Sequence, residues 1–330
     1  MNMICEKLNN KNGMEVALLN FGATITSISV PEPDGGRIDL TLGHESAEEY
    51  IEDWQYLGST PGRFANRIDR GQFTLNGKTF QLTLDDTHMH LHGGKTGFAH
   101  RYWETAREGG QVVFTYFSPD GENGYPGNLT AKAAYSLNDE NELTINYSAT
   151  TDSDTIINLT NHAYFNLAGG KGTVLDHELQ LNADSFVVTD KDLVPTGEIR
   201  GTAGTPMDFS SLRRIGDAVG SDYEAILDAN GIDSCFVLNG SGLRRAATLV
   251  EPSSGRRLEV DTDLPGLQVY TSNSLPEGTK GRDGLVYGQY SAVCLEAQHY
   301  PDAPNQSGFP PAVLRKGELF SATIVYRFLF

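Results

Sequence analysis

Segment after segment of this chain alternates apolar and polar residues with a period of two, and no other feature constrains its fold as strongly. Val112–Phe117, Leu129–Leu137, Glu142–Thr150, Glu178–Thr189, Leu258–Thr262, Leu267–Ser272 and Phe320–Phe330 all carry the pattern. In a strand it sends one face to a core and the other outward, whereas in a helix it would scatter apolar residues around the axis. The run Gln72 to Phe80 is broken by Asn76-Gly77, a pair that accepts the two positive φ angles of a type I′ turn, so a hairpin is expected there. Helix is expected only within Ile215–Ala229, and short. Strands do not alternate with helical segments, which disfavours a parallel nucleotide-binding sheet. The 330 residues contain no Pro/Ser linker, dividing charge run or fixed-period repeat. The expected fold is therefore all-β: one large antiparallel β-sandwich domain over residues 1–330, with few short helices.

Charge narrows the partners. With 43 Asp and Glu against 25 Lys and Arg, the formal charge is −18, a field that repels phosphate backbones and anionic lipid. Nucleic acid and membrane are not expected, and a neutral small molecule suits the surface better than a phosphorylated one. The first ten residues include Glu6 and Lys7 and lack an apolar run, and no window approaches a membrane span, so a cytoplasmic location is expected. Cys5, Cys235 and Cys294 are odd in number, far apart and without CxxC spacing, so they are expected to be reduced and mainly buried.

Two motif readings fail or weaken on inspection. His92-Gly93-Gly94-Lys95-Thr96 ends like a phosphate loop, but Met89 stands where the first glycine of that loop belongs. His88, His90 and His92 would share one strand face and could bind zinc. No fourth ligand is visible nearby, so a solvated strand end with His92 as its functional member is expected instead. Gly93-Gly94 would let backbone approach a ligand there.

The richest segment is Ile156–Leu167. As one strand it would place Ile157, Leu159, Ala163, Phe165 and Leu167 on a core face and Asn158, Thr160, His162, Tyr164 and Asn166 on the other. Imidazole, phenol and amide groups together suit a polyol better than open solvent does. In Ser291–Gln298, Glu296 sits among Ala, Cys and Leu, where desolvation raises a carboxyl pKa and makes it a competent base, unless a cation such as Arg67 pairs with it. Gln268 and Tyr270 share a face, Asp233 precedes an apolar run, and Arg67 follows Asn66. Together these form a cleft with one carboxylate, two histidines, an arginine and amides, but no Ser or Cys triad. That inventory suits proton transfer on a hydroxyl-rich neutral molecule, and leaves isomerisation, hydrolysis and simple binding open.

At these residues the chain resembles the aldose 1-epimerase, or galactose mutarotase, family. The matching pieces are 20–24, 39–43, Gly62-Arg63-Phe64-Ala65-Asn66-Arg67-Ile68, Leu91-His92-Gly93-Gly94, Thr160–Leu167, 204–209 and Leu295–Ala303. The resemblance implies a β-sandwich that interconverts the α and β anomers of a free aldose, with no cofactor and no metal, as a monomer or homodimer. It implies Glu296 as base and His162 as acid, with Asn66, Arg67, His92, Tyr164, Asp233 and Gln268 binding sugar. Ser234 stands where the family usually carries His or another polar residue. On this reading activity falls at low pH as Glu296 is protonated and at high pH as His162 loses its proton. The alternatives are a non-catalytic carbohydrate-binding sandwich, which needs no desolvated base, and a glycoside hydrolase, which needs two carboxyl groups flanking the bond.

Overall fold

A computed structural model describes residues 2–84 and 89–330. Its two largest sheets are antiparallel. One has nine strands, in spatial order Arg213–Arg214, Glu178–Leu181, Arg244–Val250, Arg257–Thr262, Leu319–Leu329, Glu142–Thr151, Leu129–Leu137, Gln111–Ser118 and Glu104–Glu108. The other has six, in order Tyr164–Phe165, Val293–Gln298, Gly266–Tyr270, Asp233–Leu238, Ala183–Thr189 and Pro195–Gly201. A four-stranded sheet of Cys5–Asn9, Glu15–Leu19, Thr24–Pro31 and Arg37–Asp39 adds to them.

The alternation explains the layering. Ile145, Ile324, Tyr326 and Phe328 from the nine-stranded sheet share one buried cluster with Phe165, Leu267, Val269, Val293 and Leu295 from the six-stranded one. The Phe165 and Tyr326 rings meet edge to face at 5.1 Å. The hairpin forms as Gln72–Leu75 and Lys78–Gln81, with Asn76 and Gly77 both at positive φ. Helix occurs at Ile215–Val219 and Glu224–Ala229. Among the described residues no helix is long and apolar enough to cross a membrane. The cysteines are free, Cys235 and Cys294 buried and Cys5 exposed.

Three expectations need correction. The run 178–189 is two strands in different sheets. Asn182 divides them, donating its N–H to the Ala246 carbonyl and accepting at its own from Asn239, both at 2.9 Å. Period two continues through the crossing, so alternation alone conceals it. Ile156–Leu167 is likewise not one strand. Strand forms only at Thr155–Ile156 and Tyr164–Phe165, Asn158 makes an isolated parallel bridge to Phe64, and the polar residues between the two strands are buried. Several of these amides replace sheet hydrogen bonds: Asn161 donates to the Gly58 carbonyl at 2.9 Å and Asn166 to that of Ser291 at 2.8 Å. His90, finally, is not at a solvated strand end. It is fully buried, with Nδ1 2.6 Å from the Thr83 carbonyl oxygen and Nε2 2.5 Å from the Tyr125 hydroxyl. His88 lies outside the described residues.

Asn158 ties together the two segments that carry the site. Its amide donates to the carbonyls of Ala65 at 3.0 Å and His299 at 3.2 Å, and accepts from the His299 N–H at 2.8 Å. Asn158→Ala removes a fully buried amide, strands the Ala65 carbonyl and the partly buried His299 backbone groups, and is expected to lower unfolding free energy by about 2–4 kcal/mol. Urea denaturation checks this, and a wild-type midpoint would contradict it.

Candidate active site

Sheet register assembles the floor of the site. Along Val293–Gln298, Val293, Leu295 and Ala297 enter the core, which turns Cys294, Glu296 and Gln298 to the opposite face. Gln268 pairs with Glu296 on one side and Cys235 on the other, while Tyr270 pairs with Cys294 and Asp233. Tyr164 continues the second row beyond Cys294. Ser234 pairs with core-facing Val269, so the departure at 234 points away from the site and leaves Asp233 in place.

Loops supply the walls. Asn66 and His92 both have left-handed backbone, with φ of 67° and 51°. Gly93 permits this approach: a Cβ there would lie 1.8 Å from the Gly62 carbonyl oxygen. Gly93 thus admits neighbouring backbone and Gly94 neighbouring side chains, rather than a ligand as expected. A cavity of about 220 Å³ results, smaller than the roughly 300–1,000 Å³ typical of drug-sized ligand sites and suited to a single sugar ring.

Asn66, Arg67, His92, His162, Tyr164, Asp233 and Glu296 all line this cavity. Gln268 does not. It lies behind the wall, its amide donating to Asp233 Oδ1 at 2.5 Å, while Arg67 pairs with Asp233 Oδ2 at 3.5 Å. Arg67 therefore engages Asp233 and leaves Glu296 beside His162. The Tyr164 hydroxyl is also committed, donating to the Gln55 carbonyl at 2.8 Å, and its ring stacks on His162 at 5.1 Å. Trp54, Gln55, Tyr56, Leu91 and Ser274 join the lining. No motif marks Trp54, Gln55, Tyr56 and Ser274, because the turn that presents the first three is closed by hydrogen bonds to a single side chain, Asp53, that leave no periodic trace.

At the floor, His162 Nε2 lies 3.7 Å from Glu296 Oε1, with both side chains almost wholly buried. Glu296 Oε2 and His162 Nδ1 have no hydrogen-bond partner among the described residues. Burial, reinforced by the Asp233 charge and opposed by Arg67, pushes the Glu296 carboxyl well above the usual carboxylate range. Burial pushes His162 down to about 4, and Asp53 acts in the opposite sense. The desolvation expected at Glu296 is present. His162 is not held charged near neutrality, because burial outweighs the Asp53 charge. The pair therefore holds one proton, resting on Glu296, from about pH 4 up to the raised value of the carboxyl.

His92, His162 and Glu296 each place one potential ligand atom within 4.8 Å of the others. Hydrogen bonding argues against a metal centre. The Asn66 N–H donates to His92 Nδ1 at 3.2 Å, and burial with neighbouring cationic groups holds this ring neutral. Its proton is then on Nε2, which offers the cavity a donor and no lone pair. Calorimetric titration with Zn²⁺ is expected to give no micromolar binding attributable to these residues. A micromolar dissociation constant abolished by His92→Gln would contradict this.

The aldose 1-epimerase family model matches residues 5–327. Bovine galactose mutarotase is 41% identical over 317 residues, covering 96% of this chain and 91% of that protein. Aldose 1-epimerase of Escherichia coli strain K12 is 36% identical over 327 residues, covering 98% and 94%. Among solved structures, an aldose epimerase homologue from C. elegans aligns with a TM-score of 0.92 at 34% identity over 99% of both chains. A galactose 1-epimerase from Lactobacillus acidophilus aligns with a TM-score of 0.87 at 34% identity, covering 99% of this chain and 98% of that one.

Proposed function

The chain belongs to the aldose 1-epimerase family, and on that premise we propose that it interconverts the α and β anomers of free aldohexoses such as galactose and glucose. The observation that carries the mechanism is the buried Glu296–His162 pair, 3.7 Å apart, at the floor of a cavity sized for one sugar ring. Ionised Glu296 takes the proton of the anomeric hydroxyl. The O–H electrons form the C1 carbonyl, the C1–O5 bond breaks, and O5 takes the proton of His162. Opening thus avoids a bare alkoxide or an oxocarbenium ion. Rotation about C1–C2 and reclosure with the roles reversed give the other anomer.

Desolvation assists this opening. The reactive pair is a carboxylate and an imidazolium, whereas after opening it is a carboxylic acid and a neutral imidazole. Burial penalises the charged arrangement, so the site favours the protonation that accompanies the open chain. Asn66, Arg67, His92, Tyr164 and Asp233 bind and orient the ring from the cavity wall, and Gln268 acts through Asp233. The Nε2–H of His92 and the Arg67 guanidinium stabilise negative charge developing on oxygen. A hydrolytic reading would need a second unengaged carboxyl group, and Asp233 is held by Arg67 and Gln268.

The chain acts as one domain over residues 1–330, as a monomer or homodimer, on a free sugar, with no nucleic-acid or membrane partner. A cytoplasmic location accords with its free cysteines.

Polarimetry on freshly dissolved α-galactose and α-glucose tests this reading. The enzyme is expected to speed the approach to the anomeric equilibrium and leave the end point unchanged, and an unaltered decay with both sugars would contradict it. The rate should be bell-shaped in pH, because one proton must reside on the pair. The low-pH limb is expected near His162's value of about 4, where a second proton arrives. The alkaline limb marks loss of the last proton, from Glu296. A single alkaline limb near 6.5, the ordinary histidine value, would contradict this order.

A further inference from the structure

Two tyrosine rings stack on His162, and both depend on one short turn, residues 53–57. Tyr164 stacks at 5.1 Å with 21° between planes, and Tyr56 at 6.0 Å with 24°. The Tyr164 hydroxyl donates to the carbonyl of Gln55. Tyr56 follows Gln55 with a left-handed φ of 60°, a conformation that persists in a non-glycine residue only where its surroundings enforce it.

Asp53 provides that enforcement. Its carboxylate, buried at the start of the turn, accepts the Gln55 N–H at 2.9 Å on Oδ1 and the Leu57 N–H at 2.7 Å on Oδ2. His44 Nε2 lies 3.6 Å from Oδ1, and His100 Nε2 donates to the Asp53 carbonyl at 3.1 Å. The two hydrogen bonds hold residues 53–57 closed beneath Tyr56, and His100 and His44 brace them from outside. Around His162 itself stand Glu296 at 3.7 Å, His92 with its ring 5.2 Å away, Tyr270 edge-on at 6.2 Å, and the two stacked tyrosines. Arg67 acts electrostatically on His92 and Glu296.

We propose that Asp53 is a positioning residue for His162, closing the turn that seats Tyr56 and Tyr164 against the imidazole and adding a negative charge to the field in which that ring exchanges its proton. The electrostatic part agrees with Asp53 being the carboxylate that favours the imidazolium against burial. The inference rests on His162 being the acid of the proposed reaction, and the variants below separate failure of one from failure of the other.

Asp53→Asn keeps the shape and one acceptor, removes the charge, and turns an amide donor towards the Leu57 N–H. With a free aldose as substrate, its kcat is expected to fall about 10- to 100-fold while KM changes less than about threefold, as for displacement of a catalytic group that spares binding. Its low-pH limb should move to lower pH, which a purely structural turn cap would not cause. Tyr164→Phe keeps the stacked ring, cuts the tie to Gln55, and provides a second test if Asp53→Asn fails to fold. It should lower kcat several-fold. In a His162→Asn background, Asp53→Asn should cause no further loss. Wild-type kcat and pH profile in a folded Asp53→Asn, wild-type kcat in Tyr164→Phe, or a further tenfold loss in the His162→Asn background would each overturn the positioning role. Wild-type activity in His162→Asn alone would instead remove the acid assignment beneath it.

Discussion

Glu296 is a carboxyl group kept from water on a strand whose alternate residues are core. Its Oε2 has no partner among the described residues, a state costing about 1–3 kcal/mol for an unsatisfied buried polar group. That cost is sustained by the register that pairs Glu296 with Gln268 and Gln268 with Cys235. A slip of one residue would drive the carboxyl into the sandwich core and bring Leu295 or Ala297 to the site. The same register commits Asp233, Tyr270 and Tyr164 to the cavity side. Much of the site's chemistry follows from one choice of which strand face meets the core.

The remaining groups come from loops whose backbone is held in uncommon conformations. Tyr56, Asn66 and His92 are all left-handed, each typically costing on the order of 1–3 kcal/mol. Asn158 joins the Ala65 and His299 segments, the Gly93 turn lies against Gly62, and Asp53 closes the turn before Leu57. These contacts fix donors before a ligand arrives, so little reorganisation is needed as charge moves between oxygens. The arrangement also explains the small cavity, since it is bounded by braced backbone on one side and a sheet face on the other.

Where pattern and packing coincide, the fold was legible in the sequence. Leu129–Leu137 forms over its full expected span, and the Asn76-Gly77 hairpin has the expected turn. Legibility ends where hydrogen bonding replaces alternation. Asn158, Thr160 and Asn166 read as one face of a strand, but they are buried in a segment whose amides satisfy neighbouring backbone. Asn182 passes from one sheet to another without breaking the pattern. Glu296 and His162 were identifiable by type and by resemblance, whereas their protonation depended on burial that no local sequence reveals. Asp53 and Tyr56 carry no motif, and Gln268 was placed in the cavity although it stands one layer behind, holding Asp233.

The central claim is that one proton shared by Glu296 and His162 moves through the sugar, so the two residues act as a unit. The most direct measurement is kcat for mutarotation in Glu296→Gln, His162→Asn and the double variant, with folding checked by circular dichroism. Each single substitution should cost about 10² to 10⁴ in kcat, and the double should lose little more than either alone. Losses that multiply fully would contradict the shared proton, and a fully active Glu296→Gln would remove the base.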